Sequence, residues 1–589
     1  MKQNSLLKIF KYSGLVLSVL YLLVYTDRID IELIYYWQQT IGLTFGEYLS
    51  YPGGVSDFLA VKLLELYTYS IWGIIAAAIL VLTVYFSLSQ IMKQYNKHVL
   101  YYSLLLAALI PIYLILAYYY LPVSLLVSLV MGLLIGAGAS FYKPKNIVLY
   151  LLYFGFYGII SYLIVGPVGL YILVQVCIID IVLSRKLVKL AYVLPLLFII
   201  PIAYLLVNKS LTVWSSLTGP FDVEIINGVP GVFFVGLLIP SILLLLFEGL
   251  KPLLIGINQS KHSIVNRIGI IAVLMILVYT SWTSIDLETR SIVQIEQASF
   301  NDDWQEVLEL GDYQLCSNRI VQYQVNRALY FKGMLLNYLF KYPQQFGEKG
   351  IFIEDISASR AGLILSDFYS DLGFTNEARH WSNESHSAFV RHPIVLKRMV
   401  MTYAAAGNER TALKYNKVLS KSRLHRDWSD SISTLIKEDR LRKEPQIQSF
   451  IRNNPKYEFF TNPTDPYKNL SNFYKQNPNN HLAFEYLMSA NLFNHEVGKI
   501  VKYLPDFRRF AYKKLPRAIE EAVLIYLAQT QDKNLDLCGF TIDKQTRSEF
   551  QDYMKRRPSS SNKKQAMSQL AMYNHTYWYY VMFTSPLAK

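Results

Sequence analysis

The sequence predicts an all-α protein in two parts: a polytopic helical membrane domain of about nine spans, then an α-solenoid outside the membrane. Three observations predict it. Long apolar runs alternate with short charged clusters up to about residue 287 and are absent beyond it. Basic residues gather in every second connection between those runs. In the second part, residue types recur at a spacing of 34 positions.

The apolar runs set the first domain, residues 1–287. About 20 apolar residues at a rise of about 1.5 Å each cross the hydrocarbon core of a bilayer. Runs near that length cover 10–26, 68–92, 99–120, 122–141, 146–165, 167–184, 190–208, 231–249 and 268–286. The first lacks a small-x-small cleavage site and reads as an uncleaved span. Asp180 lies inside the sixth run, close to Arg185 and Lys186, so pairing at the end of that span is expected.

Orientation follows from the basic residues. Lys2, Lys8 and Lys11 precede the first run; Lys93 and Lys97 follow the second; Lys143 and Lys145 follow the fourth. Arg185, Lys186 and Lys189 follow the sixth, and Lys251, Lys261 and Arg267 separate the last two. The intervening short loops are almost free of Lys and Arg. By the positive-inside rule the N-terminus is cytoplasmic. An odd number of spans then puts residues 288–589 outside, which in the cytoplasmic membrane of a bacterium means the periplasm.

The second part carries a period. Tyr369, Gly373, Ala378 and Trp381 recur as Tyr403, Gly407, Ala412 and Tyr415, each shifted by 34 residues. That is the tetratricopeptide period, a helical hairpin per repeat. Glycine permits the tight turn and alanine the close approach of two helices. Residues 319–341 read as another helix pair around Gly333, and 479–530 as further helices broken at Pro505 and Pro516. Stacked hairpins expose a concave face that usually binds a partner segment, here a periplasmic protein or peptide. The aromatic C-terminus, Tyr577-Trp578-Tyr579-Tyr580, fits either a last helix packed on the solenoid or a membrane–water interface.

The formal net charge of +14 does not point to nucleic acid. Many of the basic residues sit in topology-setting loops, and those of the tail are mixed with acids along helices. No nucleic-acid motif is present. Of the three cysteines, Cys177 lies in an apolar run and reads as a core residue, whereas Cys316 and Cys538 could pair in an oxidising compartment.

The loop 27–67 carries the candidate chemistry. It opens with Asp27, Arg28, Asp30 and Glu32 just past the first span, continues through the aromatic IYYWQQTIGLTFGEYL, and reaches Tyr51-Pro52-Gly53-Gly54 and Asp57. Its amphipathic character suits helices lying in the interface, with Pro52-Gly53-Gly54 turning between two of them. The loop 209–230, with Trp214, Asp222 and Glu224, would face the same side.

This layout resembles the membrane glycosyltransferases of the C-type fold, among them oligosaccharyltransferases and protein mannosyltransferases, over residues 10–92. The resemblance implies a lipid-linked sugar donor and a catalytic or metal-binding acid just past the first span. Here the matching positions are Asp30, with Asp27 and Glu32 beside it. Trp37, Tyr51 and Asp57 of the same loop are then the candidate substrate contacts. The acid would serve as general base for an acceptor hydroxyl, or would hold a divalent cation against the donor phosphate. The overall plan also resembles an uncharacterised bacterial family of multi-spanning proteins with a periplasmic helical-repeat tail, which implies architecture and no activity. A non-catalytic membrane scaffold, its repeats recruiting an envelope protein, is the other class of function this sequence fits.

Overall fold

Apolar segments with few glycines and prolines inside them form helices, and every regular element among the described residues is helical. The computed structural model describes residues 2–185, 196–207, 231–254, 259–311, 317–353, 360–462, 464–532, 534–557 and 563–584. The chain divides into two units, Met1–Arg290 and Ser291–Lys589.

The first unit opens with α1 (Lys2–Ile29), α2 (Ile31–Gln38), α3 (Phe45–Tyr48), α4 (Gly54–Tyr67) and α5 (Ser70–Ile91). It continues with α6 (Tyr101–Ala107), α7 (Ile110–Leu116), α8 (Val123–Ala139), α9 (Ile147–Val165) and α10 (Pro167–Ser184). Among the described residues, α5, α9, α10 and the segment 264–283 are long and apolar enough to cross a membrane. A fifth crossing results if helices Gly231–Leu237 and Ile239–Leu254, bent by 68° at Leu238, act as one.

The apolar run 99–120 is not one continuous helix. It breaks between α6 and α7 because Pro111 has no N–H to donate to the carbonyl of Ala107. The bend at Leu238 has polar support. Gln175 of α10 donates to the Leu237 carbonyl at 2.9 Å and accepts from the Ser241 hydroxyl at 3.0 Å, satisfying backbone that the kink frees.

Tyrosine hydroxyls tie α1 to α7. Tyr25 donates to the carbonyl of Tyr113, and Tyr113 donates to that of Ser18, each at 2.6 Å. Asp180 is buried and meets Lys143, of the connection between α8 and α9, at 3.3 Å. Lys186 lies outside the described residues, as does the loop 209–230.

The second unit contains two successive helix hairpins. Ala361–Asp371 packs on Thr375–Ala388, and Pro393–Ala405 on Glu409–Leu419. Ala378 and Ala412 are fully buried at equivalent places. The turns repeat as well: Gly373 and Gly407 adopt φ of +79° and +78°, and the next residues, Phe374 and Asn408, donate back to the carbonyls of Tyr369 and Tyr403 at 2.8 Å. This is the Schellman cap, which needs a left-handed residue and so favours glycine. Gly333 closes helix Arg319–Phe331 in the same way.

One apolar core gathers residues of Ile295–Ala378 with residues of Leu470–Phe583. Tyr577 and Trp578 are buried in it, which decides the aromatic C-terminus in favour of packing within the tail. Cys177 is buried and forms no disulfide among the described residues, and Cys316, the expected partner of Cys538, lies outside them.

Candidate functional site

The first loop is held by its backbone breaks. Asp30 separates α1 from α2 with φ 54° and ψ 80°, a left-handed conformation that costs a residue with a Cβ about 1–2 kcal/mol. Its amide donates to the Asp27 carbonyl at 3.1 Å, and its own carbonyl accepts from Leu33 at 3.0 Å. The chain therefore turns sharply at Asp30.

The Asp30 carboxylate is half-buried and faces Arg290 at 3.7 Å. Burial raises its pKa above the ordinary carboxylate range, and the Arg290 charge opposes that rise. Tyr119 stands over the same turn and donates to the Ile29 carbonyl. Arg290 is the cation at the acid, and Arg28 lies two residues before it in the chain. Arg28 lies flat on the Trp282 ring, 3.6 Å from its centroid, which takes its charge away from Asp27. Arg28 and Arg290 each bury an Nε–H that no acceptor among the described residues satisfies.

The other candidates separate around this centre. Glu32 is exposed and accepts from the Ser70 hydroxyl at 2.6 Å, joining α2 to the start of α5. Asp27 is exposed and forms no ion pair among the described residues. Trp37 packs edge-on against Tyr120 at 4.7 Å. Its neighbour Gln38 donates to the carbonyls of Tyr119 and Leu121 at 2.7 Å and accepts from the Val123 amide, anchoring α2 to the start of α8.

Tyr51 and Asp57 pair with each other instead. The tyrosine donates to the carboxylate at 2.9 Å, and burial outweighs this bond in raising the Asp57 pKa. The pair brackets the Pro52-Gly53-Gly54 turn, where Gly53 has φ +84° and donates to the Leu163 carbonyl at 3.1 Å. A Cβ on Gly53 would come within 3.1 Å of the Val165 carbonyl oxygen, so the turn seats against the α9–α10 break through glycine alone.

Arg290, Trp282 and Tyr119 are the residues sequence reasoning missed. They lie far along the chain from the loop, and no spacing links them to it. Among the described residues no three His, Cys, Asp or Glu side chains converge to hold a metal ion. Of the loop's acids, Asp30 is the one that faces an arginine, a residue type that ordinarily donates to phosphate oxygens.

A second charged concavity, of about 290 Å³, lies in the tail. Arg327 is buried there with Asp371 and Asp367, Arg398 with Asp367, and Trp304 lies beside Arg327 at 4.9 Å. Charges this buried persist only when paired, and every member here has a partner.

No curated protein and no solved structure matches this chain. Its sequence does match one described family over almost its whole length, and on that ground the chain belongs to a family of unknown function, DUF6057, which it matches over residues 12–584.

Proposed function

We propose that this protein is a multi-spanning transferase of the bacterial cytoplasmic membrane, acting at its outer face on a lipid-linked sugar. In this reading the chain crosses the membrane nine times from a cytoplasmic N-terminus. The α6–α7 pair and the bent pair each make one crossing, and residues 288–589 form a periplasmic tetratricopeptide-like solenoid that presents the acceptor.

The observation that carries the reading is that Asp30 faces Arg290, and that Arg290 and Arg28, two residues before Asp30, each bury an Nε–H with no acceptor among the described residues. A buried donor left unsatisfied costs about 1–3 kcal/mol, and a phosphate oxygen would satisfy it. Arg28 and Arg290 then hold the donor phosphate. Asp30, its proton affinity raised by burial, takes the proton from an acceptor hydroxyl. The hydroxyl oxygen bonds to the anomeric carbon as the bond from that carbon to the phosphate oxygen breaks, and the lipid phosphate leaves with the electron pair. No divalent cation is required by this arrangement, because the arginines supply the positive charge.

The test replaces Asp27, Asp30 and Glu32 by their amides and compares envelope glycans and glycoproteins with those of a deletion strain. Deletion should alter a glycan, and the triple variant at normal abundance should fail to restore it. Full restoration would remove the acids from catalysis. Unchanged glycans after deletion would favour the second reading, a scaffold whose repeats recruit an envelope protein. The specific support for that reading is the pair of hairpins repeated at 34 residues.

A further inference from the structure

Two cavities adjoin on the other end of the first unit, away from the acidic loop along α5. One is an apolar groove of about 490 Å³ between α5 and α8, with Ile79, Phe86 and Leu134 exposed along its rim. The other is a polar pocket of about 340 Å³ that holds Lys93, Lys143 and Asp180. Gln90 and Phe141 line both.

From these we infer that the first unit binds one anionic phospholipid, with an acyl chain in the α5–α8 groove and its phosphate between Lys93 and Lys143. The inference rests on the membrane reading above, though not on catalysis. Three observations support it. From Ile79 to Gln90 the groove follows 12 residues of α5, about 16 Å between the first and the last at helical rise. That matches one leaflet, half of a hydrocarbon core about 30 Å thick.

Charge changes where the headgroup would lie. Lys143 is shared with Asp180 at 3.3 Å, and Lys93 is exposed with no ion pair among the described residues, so the pocket carries one net positive charge. Gln90 stands at the junction, half-buried, and among the described residues no protein group hydrogen-bonds its side-chain amide. A phosphate or ester oxygen would satisfy it. Lys93 and Lys143 also belong to the basic connections that face the cytoplasm under the proposed topology, the side on which anionic lipid is attracted by polybasic segments.

The test is native mass spectrometry of the full chain released from detergent after incubation with equimolar phosphatidylglycerol and phosphatidylcholine. Phosphatidylglycerol should be retained about five-fold over phosphatidylcholine. Lys93→Gln combined with Lys143→Gln and Asp180→Asn removes the charge without leaving a buried ion unpaired, and should abolish the preference. Thr83→Trp, which fills the groove, should reduce retention of both lipids. Circular dichroism and elution volume check that the variants fold.

Equal retention of the two lipids by the native chain overturns the site, as does a preference that survives the triple variant or a lipid-free dimer that covers the groove. Recovery of the chain without detergent in the soluble fraction would overturn the membrane reading and this inference together. Extraction only by detergent, with no lipid preference, would overturn this inference alone.

Discussion

Arg327 clasps Asp371 with two bonds, Nε to Oδ2 at 2.5 Å and Nη2 to Oδ1 at 3.1 Å, in the buried centre of the tail. The geometry is the bidentate fork that suits arginine and carboxylate best. Removing Arg327 leaves Asp371 buried without its hydrogen-bonded partner, with only the weaker pull of Arg398 to oppose its charge. Arg327→Ala should therefore destabilise the tail by about 3–5 kcal/mol, read as a lower denaturant midpoint of the detergent-solubilised chain. Arg327→Met with Asp371→Leu should cost much less. Equal losses would mean the pair matters by its volume and not its charge.

Ala378 and Ala412 occupy the same place in successive hairpins and are fully buried. Ala412→Trp should overpack that contact by about 1–3 kcal/mol. An unchanged melting temperature would show that the two helices tolerate separation there.

The acidity of Glu485 predicts a pH dependence. It is almost fully buried on helix His481–Phe493, and burial pushes its carboxyl up to about 7, against a hydrogen bond from Tyr512 that favours the charged form. The folded chain thus holds a proton that the unfolded chain releases near its ordinary value of about 4.5. Stability from this group is fully present below about pH 4.5, falls as pH rises, and is lost above about 7, a span of about 3 kcal/mol. Thermal unfolding between pH 5 and pH 8 should show the fall, and Glu485→Gln should flatten it.

Ala511 adopts φ +59° just after helix Leu504–Arg509, and Tyr512 then donates back to the Phe507 carbonyl at 3.0 Å. This is the same cap that Gly373 and Gly407 make. A Cβ in the left-handed region costs about 1–2 kcal/mol, part of which glycine loses again through the freer unfolded chain. Ala511→Gly should raise stability by about 0.5–1 kcal/mol. A lower melting temperature would mean that the alanine methyl packs usefully.

The proposed topology predicts that a reporter active only in the periplasm, fused after residue 300, is active. Silence from a well-expressed fusion would reverse the orientation and move the Asp30 loop to the cytoplasmic side.

Some of this protein is written in local chemistry. Helices follow from runs of residues that bury no polar group, and the run 146–165 appears as α9 almost residue for residue because Asn146 caps it and Gly166 ends it. The 34-residue period is legible because glycine has no substitute cheap enough at a left-handed cap, so the residue type marks the turn. Where Asp439, His495 and Ala511 make the same left-handed turn, the sequence carries no sign of it, since surrounding contacts outweigh the local cost. The candidate site divides in the same way. Asp30 follows from its place just past an apolar run. That Arg290 would meet it, that Trp282 would draw Arg28 away from Asp27, and that Tyr51 would turn to Asp57 were decided by packing. These are contacts between segments distant in the chain, and side-chain direction at such a contact depends on which helices pack together. No local pattern encodes that choice.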